Sequence, residues 1–380
     1  MRRLLLILFV VVHAFQALHA QTPGNKAPAG GPPTLDRARN VILFIGDAGG
    51  LPTLNAASLY GYDRPQALFI QKMPNIALMD TSTASNWVTD SAAGMTAIVT
   101  GRKTQNGVLS QADDAVRGKK DGALLKTILE YAEERGLSTA VVSNSAITDA
   151  TPAACYAHVN SRSKTGEIMA QVFAPRSGDG VDVMIGAGRT RILQATAATG
   201  LDLDAEARRH GYELRTSLAE VSPEARRLIV LLDDGNFDLG AATQIALRIL
   251  SQNRRGYFLM VESDLHADDV ALGLRRAVEL DGIIERTAAS VKAKDTLVIY
   301  TADHSYDLRV RAGKKGESLL ANPDAPKPAL RRDKGHSGEE VVVAAKGPGA
   351  ERVRGFFPNT YLFHVMMAAY GWETRSAGDR

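Results

Sequence analysis

Carboxylate and imidazole side chains follow three apolar runs of the sequence, in positions where they could bind metal ions. Asp47 follows VILFIG, Glu262 ends YFLMVE, and Asp303 and His304 follow TLVIYTA. A single Asp after a strand is usually a turn residue or a helix cap. Three such runs together indicate a shared site. Asp, Glu and His in combination suit zinc, and the oxygen ligands alone suit magnesium.

Ser91 lies in the segment TDSAAG, directly before the helical run MTAIVTG. A helix N-terminus offers free backbone amides and the positive end of a dipole, which favour a phosphate group or a developing anion. The simpler alternative is that Asp90 or Ser91 only caps the helix. The small neighbours Ala92, Ala93 and Gly94 would let a ligand approach the backbone. A serine beside a bound metal can act as a nucleophile.

Buried strands must position these groups, and the sequence alternates such strands with helices. Continuous apolar runs, typical of strands buried on both faces, occur at 41–46, 139–143, 181–186, 257–262, 296–302 and 340–345. Helical stretches occur at 124–134, 241–252, 269–292 and 360–370. This alternation predicts an α/β fold, a three-layer α/β/α sandwich with a mostly parallel central sheet. In such folds, ligands bind at the carboxyl ends of the strands, where the candidate residues fall.

The composition is that of an ordinary globular chain. Of 380 residues, 45% are hydrophobic and 23% are charged, which excludes disorder along most of the chain. The formal net charge of +3 gives no electrostatic reason to expect nucleic-acid binding, and the sequence has no nucleic-acid-binding motif. Cys155 is the only cysteine, so an intrachain disulfide is excluded.

The N-terminal region has the order of an export signal. Two arginines, a short apolar run and the small-residue exit ALHA precede Gln21. We therefore predict a signal peptide over residues 1–20, cleaved after Ala20, and a periplasmic or secreted protein. The apolar run is too short to span a bilayer, so we expect no membrane span in the mature chain. A flexible lead-in rich in Pro, Gly and Ala is predicted over residues 21–38.

A series of motifs along nearly the whole predicted mature chain resembles, in the same order, those of bacterial alkaline phosphatases. They are NVILFIGDAGG from Asn40, TDSAAGMTAIVTG from Thr89, TDATPAACYAHVNSR from Thr148, FLMVES from Phe258, YTADHS from Tyr300 and GHSGEEV from Gly335. The resemblance implies an alkaline phosphatase-like catalytic domain over residues 39–380. It also implies that Ser91 is the nucleophile and that Arg162 binds two phosphoryl oxygens. A guanidinium fork suits two oxygens at once, which a lysine cannot copy.

The resemblance further implies two Zn²⁺ ions and one Mg²⁺ ion. The zinc that would hold the Ser91 oxygen has as implied ligands Asp47, Asp303 and His304. The magnesium ion has as implied ligands Asp47, Thr151 and Glu262, with Asp149 acting through water. The other zinc has His336 as an implied ligand.

The remaining ligands of the zinc at His336 depart from the family pattern. The family has an Asp five residues and a His nine residues after the glutamate, but here these positions are Ala267 and Ala271. The loop SDLHADD offers Asp264, His266 and Asp268 instead. A deletion of three residues would put Asp264 and Asp268 in the two family positions, whereas zinc favours the imidazole of His266. All three are candidates, with Asp264 and His266 ahead of Asp268.

The implied activity is hydrolysis of small phosphate monoesters at alkaline pH, in two steps through a phosphoserine at Ser91, with release of inorganic phosphate. Two alternatives stay open. A phosphodiesterase of the same superfamily would share the sheet and much of the metal site, but it would not need Arg162 to bind two unsubstituted oxygens. An exported phosphate- or metal-binding protein would bind without turnover. A homodimer is a further expectation from the family.

Residues 309–334 carry eight Lys or Arg and only three acidic residues. A solvated insertion is the simpler interpretation. The alternatives are a surface that steers anionic substrates toward the site and a cover over a dimer interface.

Overall fold

The computed structural model of the protein describes residues 37–321 and 328–372. The predicted signal peptide, its cleavage site and residues 21–36 of the predicted lead-in lie outside the described residues. Across the two described ranges, every helix is too short or too polar to cross a bilayer.

Strands alternate with helices along the chain, and most of them join one central sheet. The strands are β1 Asn40–Asp47, β2 Asn75–Asp80, β3 Ser138–Ala146, β4 Val183–Ala187, β5 Glu213–Arg215, β6 Leu228–Leu231, β7 Tyr257–Asp264, β8 Thr296–Thr301, β9 Ser305–Val310, β10 Leu330–Ser337, β11 Val341–Lys346 and β12 Gly355–Pro358. The ten-stranded sheet has the order β12-β2-β11-β8-β1-β7-β3-β4-β6-β5. Its neighbours are parallel except where β11 pairs with β2 and β8. Strands β9 and β10 form a separate antiparallel pair.

Helices cover both faces of this sheet. They are α1 Leu51–Tyr62, α2 Ser91–Thr100, α3 Ile128–Glu134, α4 Ala150–Ala153, α5 Thr165–Val172, α6 Arg189–Ala198, α7 Leu203–Arg209, α8 Leu239–Leu250, α9 Val270–Ser290 and α10 Thr360–Tyr370. Short 3₁₀ turns occur at Ile70–Lys72, Leu218–Glu220 and Ala350–Arg352.

Strand β1 separates two hydrophobic cores. Its residues Val41, Leu43 and Ile45 face a core that includes side chains of α2, α3 and α10. Its residues Ile42 and Phe44 face the opposite core, with side chains of α1, α8 and α9. Burial on both faces explains why β1 is a continuous apolar run instead of an alternating one. The predicted three-layer α/β/α sandwich with a mostly parallel sheet is confirmed.

One helix boundary predicted from the sequence is wrong. The helix predicted over residues 124–134 begins at Ile128, because Thr127 caps it. The Thr127 hydroxyl accepts from the Glu130 amide at 3.1 Å, and the Glu130 carboxylate accepts from the Thr127 amide at 2.9 Å. This reciprocal capping box stops the helix from extending toward Leu124, which is exposed.

Candidate active site

The carboxyl ends of the adjacent strands β8, β1 and β7 meet at one edge of the sheet. Asp47 is the last residue of β1 and lies beside Asp264, the last residue of β7. Glu262 precedes Asp264 by two positions, so both point from the same strand face. Asp303 and His304 follow β8 after one intervening residue, Ala302. Parallel pairing of the three strands therefore gathers these acidic and imidazole groups in one place.

Ser91 is the first residue of α2, at the helix N-terminus that the sequence predicts. Asp90 is the N-cap, and its carboxylate accepts from the Ala93 amide at 3.1 Å. The side chain of Ser91 is buried, and its Oγ lies 3.2 Å from His304 Nε2 and 3.4 Å from Asp47 Oδ2. The helix thus points its partial positive charge and its serine hydroxyl at the groups from β1 and β8.

A first set of groups with the geometry for a metal ion consists of Asp47, Asp303 and His304, whose ligand atoms lie within 4.8 Å of one another. His304 Nε2 is 3.1 Å from Asp47 Oδ1 and 3.6 Å from Asp303 Oδ2. Its Nδ1 faces the Ser305 carbonyl at 3.1 Å, which leaves Nε2 toward the carboxylates. Asp47 Oδ1 is buried and makes no hydrogen bond with any described residue. A cation would satisfy this oxygen, so the set fits a metal.

A second set consists of three imidazoles, His266, His304 and His336, again with ligand atoms within 4.8 Å. The rings of His304 and His336 stack with centroids 3.7 Å apart, and His266 Nε2 is 3.4 Å from His336 Nε2. His336 Nδ1 lies 2.9 Å from the Thr89 carbonyl oxygen. Burial and then the neighbouring His304 lower the pKa of His336. A lowered pKa favours the neutral ring, which is the form that binds metal.

The structure separates the three candidates in the SDLHADD loop. His266 belongs to the imidazole set. Asp264 Oδ1 lies 2.8 Å from His266 Nδ1. Burial opposes protonation of His266, but the hydrogen bond with Asp264 and the charge of Asp47 raise its pKa to about 9. Asp268 is not brought into either set. Its carboxylate accepts from the Tyr306 hydroxyl at 2.9 Å, and its side chain is 70% exposed.

The residues implied for magnesium surround the first set. Thr151, on α4, has its hydroxyl 3.5 Å from Asp303 Oδ2. Glu262 is buried on β7 and accepts a hydrogen bond from the Ser143 hydroxyl. Asp149 is the N-cap of α4, where its carboxylate accepts from its neighbour's amide at 2.8 Å. Its direct side-chain contact is with Arg162.

Arg162 lies in a loop before α5, and two carboxylates hold its guanidinium group. Nη2 donates to Asp149 Oδ1 at 2.9 Å, and Nη1 donates to Asp90 Oδ2 at 3.3 Å. Burial opposes the charge of Arg162, but the nearby charges of Asp149 and Asp90 outweigh burial and raise its pKa above the usual value. The group is therefore a permanent cation linked to the N-cap of α2.

Electrostatic crowding at this edge also fits bound cations. Burial and then the charge of Asp47 raise the pKa of Glu262 well above its usual value, and the same two causes raise the pKa of Asp303 to about 6. Burial opposes ionisation of Asp47 as well, but the nearby imidazoles of His304 and His266 lower its pKa below the usual range. Several buried carboxylates at short range repel one another unless a cation lies among them.

Some contacts of the site have no clear signal in the sequence. Ser143 ends a predicted strand, but nothing in its surroundings indicates that it donates to Glu262. Arg276, on α9, is 3.4 Å from Asp264 Oδ2, although it lies outside every quoted motif.

Arg332, in the basic segment 309–334, donates to the Ala267 carbonyl at 2.7 Å. That segment therefore borders the candidate site and overlaps β9 and β10, although its residues 322–327 lie outside the described part of the chain.

The fold and the site define an α/β protein that has a buried serine at a helix N-terminus, beside two sets of side chains with the geometry to bind metal ions. The alkaline phosphatase family model matches residues 38–324. Streptomycin-6-phosphate phosphatase of Streptomyces griseus is 30% identical over 96% of this chain and 95% of that protein. The alkaline phosphatase of Escherichia coli strain K12 is 29% identical over 88% of this chain and 86% of that protein.

A solved structure gives the same result. The structure of alkaline phosphatase from the Antarctic bacterium TAB5 has a TM-score of 0.75 at 27% identity, covering 90% of this chain and 100% of that chain. The chain belongs to the alkaline phosphatase family, so the resemblance of the sequence motifs is confirmed. Family membership supports a phosphatase enzyme.

Proposed function

We propose that this protein is an alkaline phosphatase that hydrolyses phosphate monoesters through a phosphoserine at Ser91, with two Zn²⁺ ions and one Mg²⁺ ion. The observation that carries the proposal is the position of the Ser91 hydroxyl. It is buried at the N-terminus of α2, 3.2 Å from His304 Nε2 and 3.4 Å from Asp47 Oδ2. A serine that only capped its helix would not need metal-binding groups on its other side.

The proposed ligands divide into three sets. Asp47, Asp303 and His304 hold the zinc beside Ser91. His336 and His266 hold the other zinc, with Asp264 adjacent and Asp268 outside the set. Asp47, Thr151 and Glu262 hold magnesium, with Asp149 acting through water. When bound, these cations stabilise the serine alkoxide and neutralise charge on the phosphoryl oxygens.

The side chains of the protein then carry out two displacements. Arg162 binds two unsubstituted oxygens of the monoester, and the amides at the start of α2 lie on the same side as the developing negative charge. The Ser91 oxygen forms a bond to phosphorus while the bond to the leaving oxygen breaks. Water next attacks the phosphoserine, which releases inorganic phosphate and restores the serine. Positioning and charge neutralisation supply most of the catalysis, because the transferred group needs little covalent help.

Phosphate release from an aryl phosphate monoester at alkaline pH tests this proposal. The wild-type protein is assayed after chelation and again after zinc and magnesium are restored. We expect turnover that depends on the metals and collapses in Ser91→Ala. Streptomycin 6-phosphate is a second monoester to assay, because one relative with 30% identity is named as its phosphatase. Faster hydrolysis of an aryl diester would favour the phosphodiesterase alternative, and tight phosphate binding without turnover would favour a binding protein.

Export and self-association are separate parts of the proposal. Residues 1–20 serve as a signal peptide that is removed after Ala20, so the periplasmic or secreted protein begins at Gln21. Mass spectrometry of the mature N-terminus tests this.

A homodimer is proposed from the family, and the exposed Phe356 on edge strand β12 and Ile76 on β2 offer apolar surface for it. Light scattering on the purified protein measures the oligomeric state.

A further inference from the structure

Behind the imidazole set, the structure contains a chain of polar contacts in the loop that departs from the family pattern. Asp264 Oδ1 accepts from the His266 backbone amide at 3.0 Å and lies 2.8 Å from His266 Nδ1. The other oxygen, Oδ2, is 3.4 Å from Arg276 Nη1. Both oxygens of Asp264 therefore already have partners, and the same His266 Nδ1 lies 3.7 Å from Asp47 Oδ1.

Arg276 fixes the position of Asp264 relative to two other segments. Its Nη1 also donates to the Asp264 carbonyl at 3.3 Å, and its Nη2 donates to the Gly235 carbonyl at 3.3 Å. The guanidinium group thus joins the end of β7 to the segment before α8. Its side chain is only 14% exposed, so solvent competes little for these bonds. A planar fork of donors can hold several acceptors at once in fixed directions.

These contacts determine which nitrogen of His266 is available. A histidine that donates Nδ1–H to a carboxylate keeps the lone pair of Nε2 for a metal, and the carboxylate fixes the ring orientation. His266 Nε2 points toward His336 Nε2, at 3.4 Å. The ring also makes an edge contact with His304, with centroids 5.5 Å apart.

We propose that Asp264 and Arg276 are positioning residues that orient His266, so that His266 binds the second zinc through Nε2 and Asp264 is not itself a ligand. This inference rests on the proposed function for the presence of the zinc. It assigns a role to an arginine outside all of the family motifs. It also means that one imidazole ligand, oriented by a carboxylate, stands in this loop where the family has an Asp ligand and a His ligand.

Zinc affinity, measured in the metal-free protein by competition with a chromophoric chelator, is the first test. Loss of the partner that orients a metal-bound histidine lowers metal affinity by about 10- to 100-fold. We expect Arg276→Ala and Asp264→Ala each to bind one of the two zinc ions more weakly by this factor. The other zinc ion should be bound with unchanged affinity. Asp264→Asn retains an acceptor oxygen and should lose less. The zinc concentration for half-maximal activity should rise in the same order.

Arg275→Ala is the matched control. Arg275 is the preceding residue of α9, has the same charge and lines the same cavity of about 500 Å³ as Arg276, but it does not bond Asp264. Its zinc affinity should equal that of the wild type. Circular dichroism and thermal unfolding of each metal-free variant show whether a loss of affinity comes from unfolding.

Long-range ¹H–¹⁵N correlation spectra of the zinc-loaded protein report the nitrogens of His266 directly, with His266→Gln to assign the signals. We expect Nδ1 to be protonated and Nε2 to be metal-bound. Zinc on Nδ1, an unbound His266 or wild-type zinc affinity in folded Arg276→Ala would each overturn the inference.

The same experiments distinguish this inference from the proposed function. A wild-type protein that binds zinc through His266 but hydrolyses no phosphate ester would overturn the function and leave the inference intact. Metal-dependent turnover with His266 not bound to zinc would overturn the inference and leave the proposed function intact.

Discussion

Two carboxylates orient Arg162 for an oxyanion before any substrate is present. Asp149 accepts from its Nη2 at 2.9 Å, and Asp90 accepts from its Nη1 at 3.3 Å. Asp90 also caps α2 through the Ala93 amide, so the arginine is linked to the helix that carries Ser91. Donors that are already in place need no reorganisation in the transition state, which is why a single donor can contribute strongly to the rate.

We predict that Arg162→Ala lowers kcat/KM for an aryl phosphate monoester by about 100-fold or more, because loss of one preorganised donor has a cost of that order. Arg162→Lys should recover only part, since an ammonium group cannot bind two oxygens as a fork. Inhibition by inorganic phosphate should weaken in parallel. Lys164→Ala is the control, because that neighbouring cation pairs with Glu167 instead. Wild-type kcat/KM in Arg162→Ala would contradict the proposed role.

At the residue scale, the sequence predicts which groups lie close together when those groups end a buried strand or begin a helix. Asp47, Ser91 and Asp303 are predictable as neighbours because parallel strand ends and a helix N-terminus meet at one edge. The choice between His266 and Asp268 is not predictable in this way. It depends on the path of the loop after β7 and on Tyr306, which is 38 residues from Asp268 in the chain and binds its carboxylate.

At the scale of elements, the position of Ser91 depends on how closely α2 approaches the loop after β8. A Cβ on Gly94 would lie 2.5 Å from the Asp303 carbonyl oxygen. That atom belongs to the backbone and cannot swing aside as the end of a side chain can. Glycine at position 94 therefore lets the helix place the Ser91 hydroxyl 3.2 Å from His304 Nε2.

We predict that Gly94→Ala destabilises the protein by about 1 to 3 kcal/mol, because overpacking of a close contact has a cost of that order. It should also lower kcat, since α2 must move away from Asp303. Gly282→Ala on α9 is the matched control: among the described residues, its Cβ would meet the end of the Arg286 side chain alone, at 3.2 Å. That variant should gain up to about 1 kcal/mol from helix propensity. Urea unfolding and steady-state rates measure both, and equal behaviour of the two variants would refute this role of Gly94.

Strands with mixed burial are hard to recognise in the sequence, and the short, fully buried strand β6 is also not predicted. Strand β1 is recognisable because its whole length is buried. Strand β2, NIALMD, is only partly buried and includes the exposed Ile76, so it has neither a continuous apolar run nor a strict alternation. Strands β9 and β10 carry charged residues because they pair with each other outside the central sheet. Their pairing depends on contacts that are distant in sequence.

At the scale of the whole molecule, one buried and one partly buried carboxyl group, away from the proposed metal ligands, link stability to pH. Glu133 on α3 is 4% exposed, and its Oε2 has no hydrogen-bond partner among the described residues. Burial, with a smaller contribution from the charge of Asp182, raises the pKa of Glu133 to about 8. Burial also raises the pKa of Asp182 to about 6. The folded protein therefore holds protons that the unfolded chain releases at lower pH.

We predict that stability falls as pH rises from about 4.5 to about 8, because over that range only the folded state keeps Glu133 protonated. Glu133→Gln should remove this part of the pH dependence. It should be more stable than the wild type at pH values above about 8, by up to about 5 kcal/mol, since each pKa unit corresponds to about 1.4 kcal/mol. Free energies of unfolding in urea at several pH values measure the effect.

Glu134→Gln is the control for this measurement, because Glu134 is a half-exposed neighbour that pairs with Lys126. Its pH profile should follow that of the wild type. Parallel profiles for wild type and Glu133→Gln would show that the carboxyl group of Glu133 is not the source of the pH dependence.

The most direct test of the central claim is detection of a phosphoryl group on Ser91. Zinc- and magnesium-loaded protein is mixed with an aryl phosphate monoester, quenched in acid during turnover and digested with trypsin. Fragmentation of the peptide over residues 73–102 then locates any added phosphoryl group. We predict that it lies on Ser91, is absent in Ser91→Ala and is unchanged in Ser85→Ala, an exposed serine of the same peptide. Continued turnover in Ser91→Ala, with no phosphoryl group on Ser91 in the wild type, would contradict the claim.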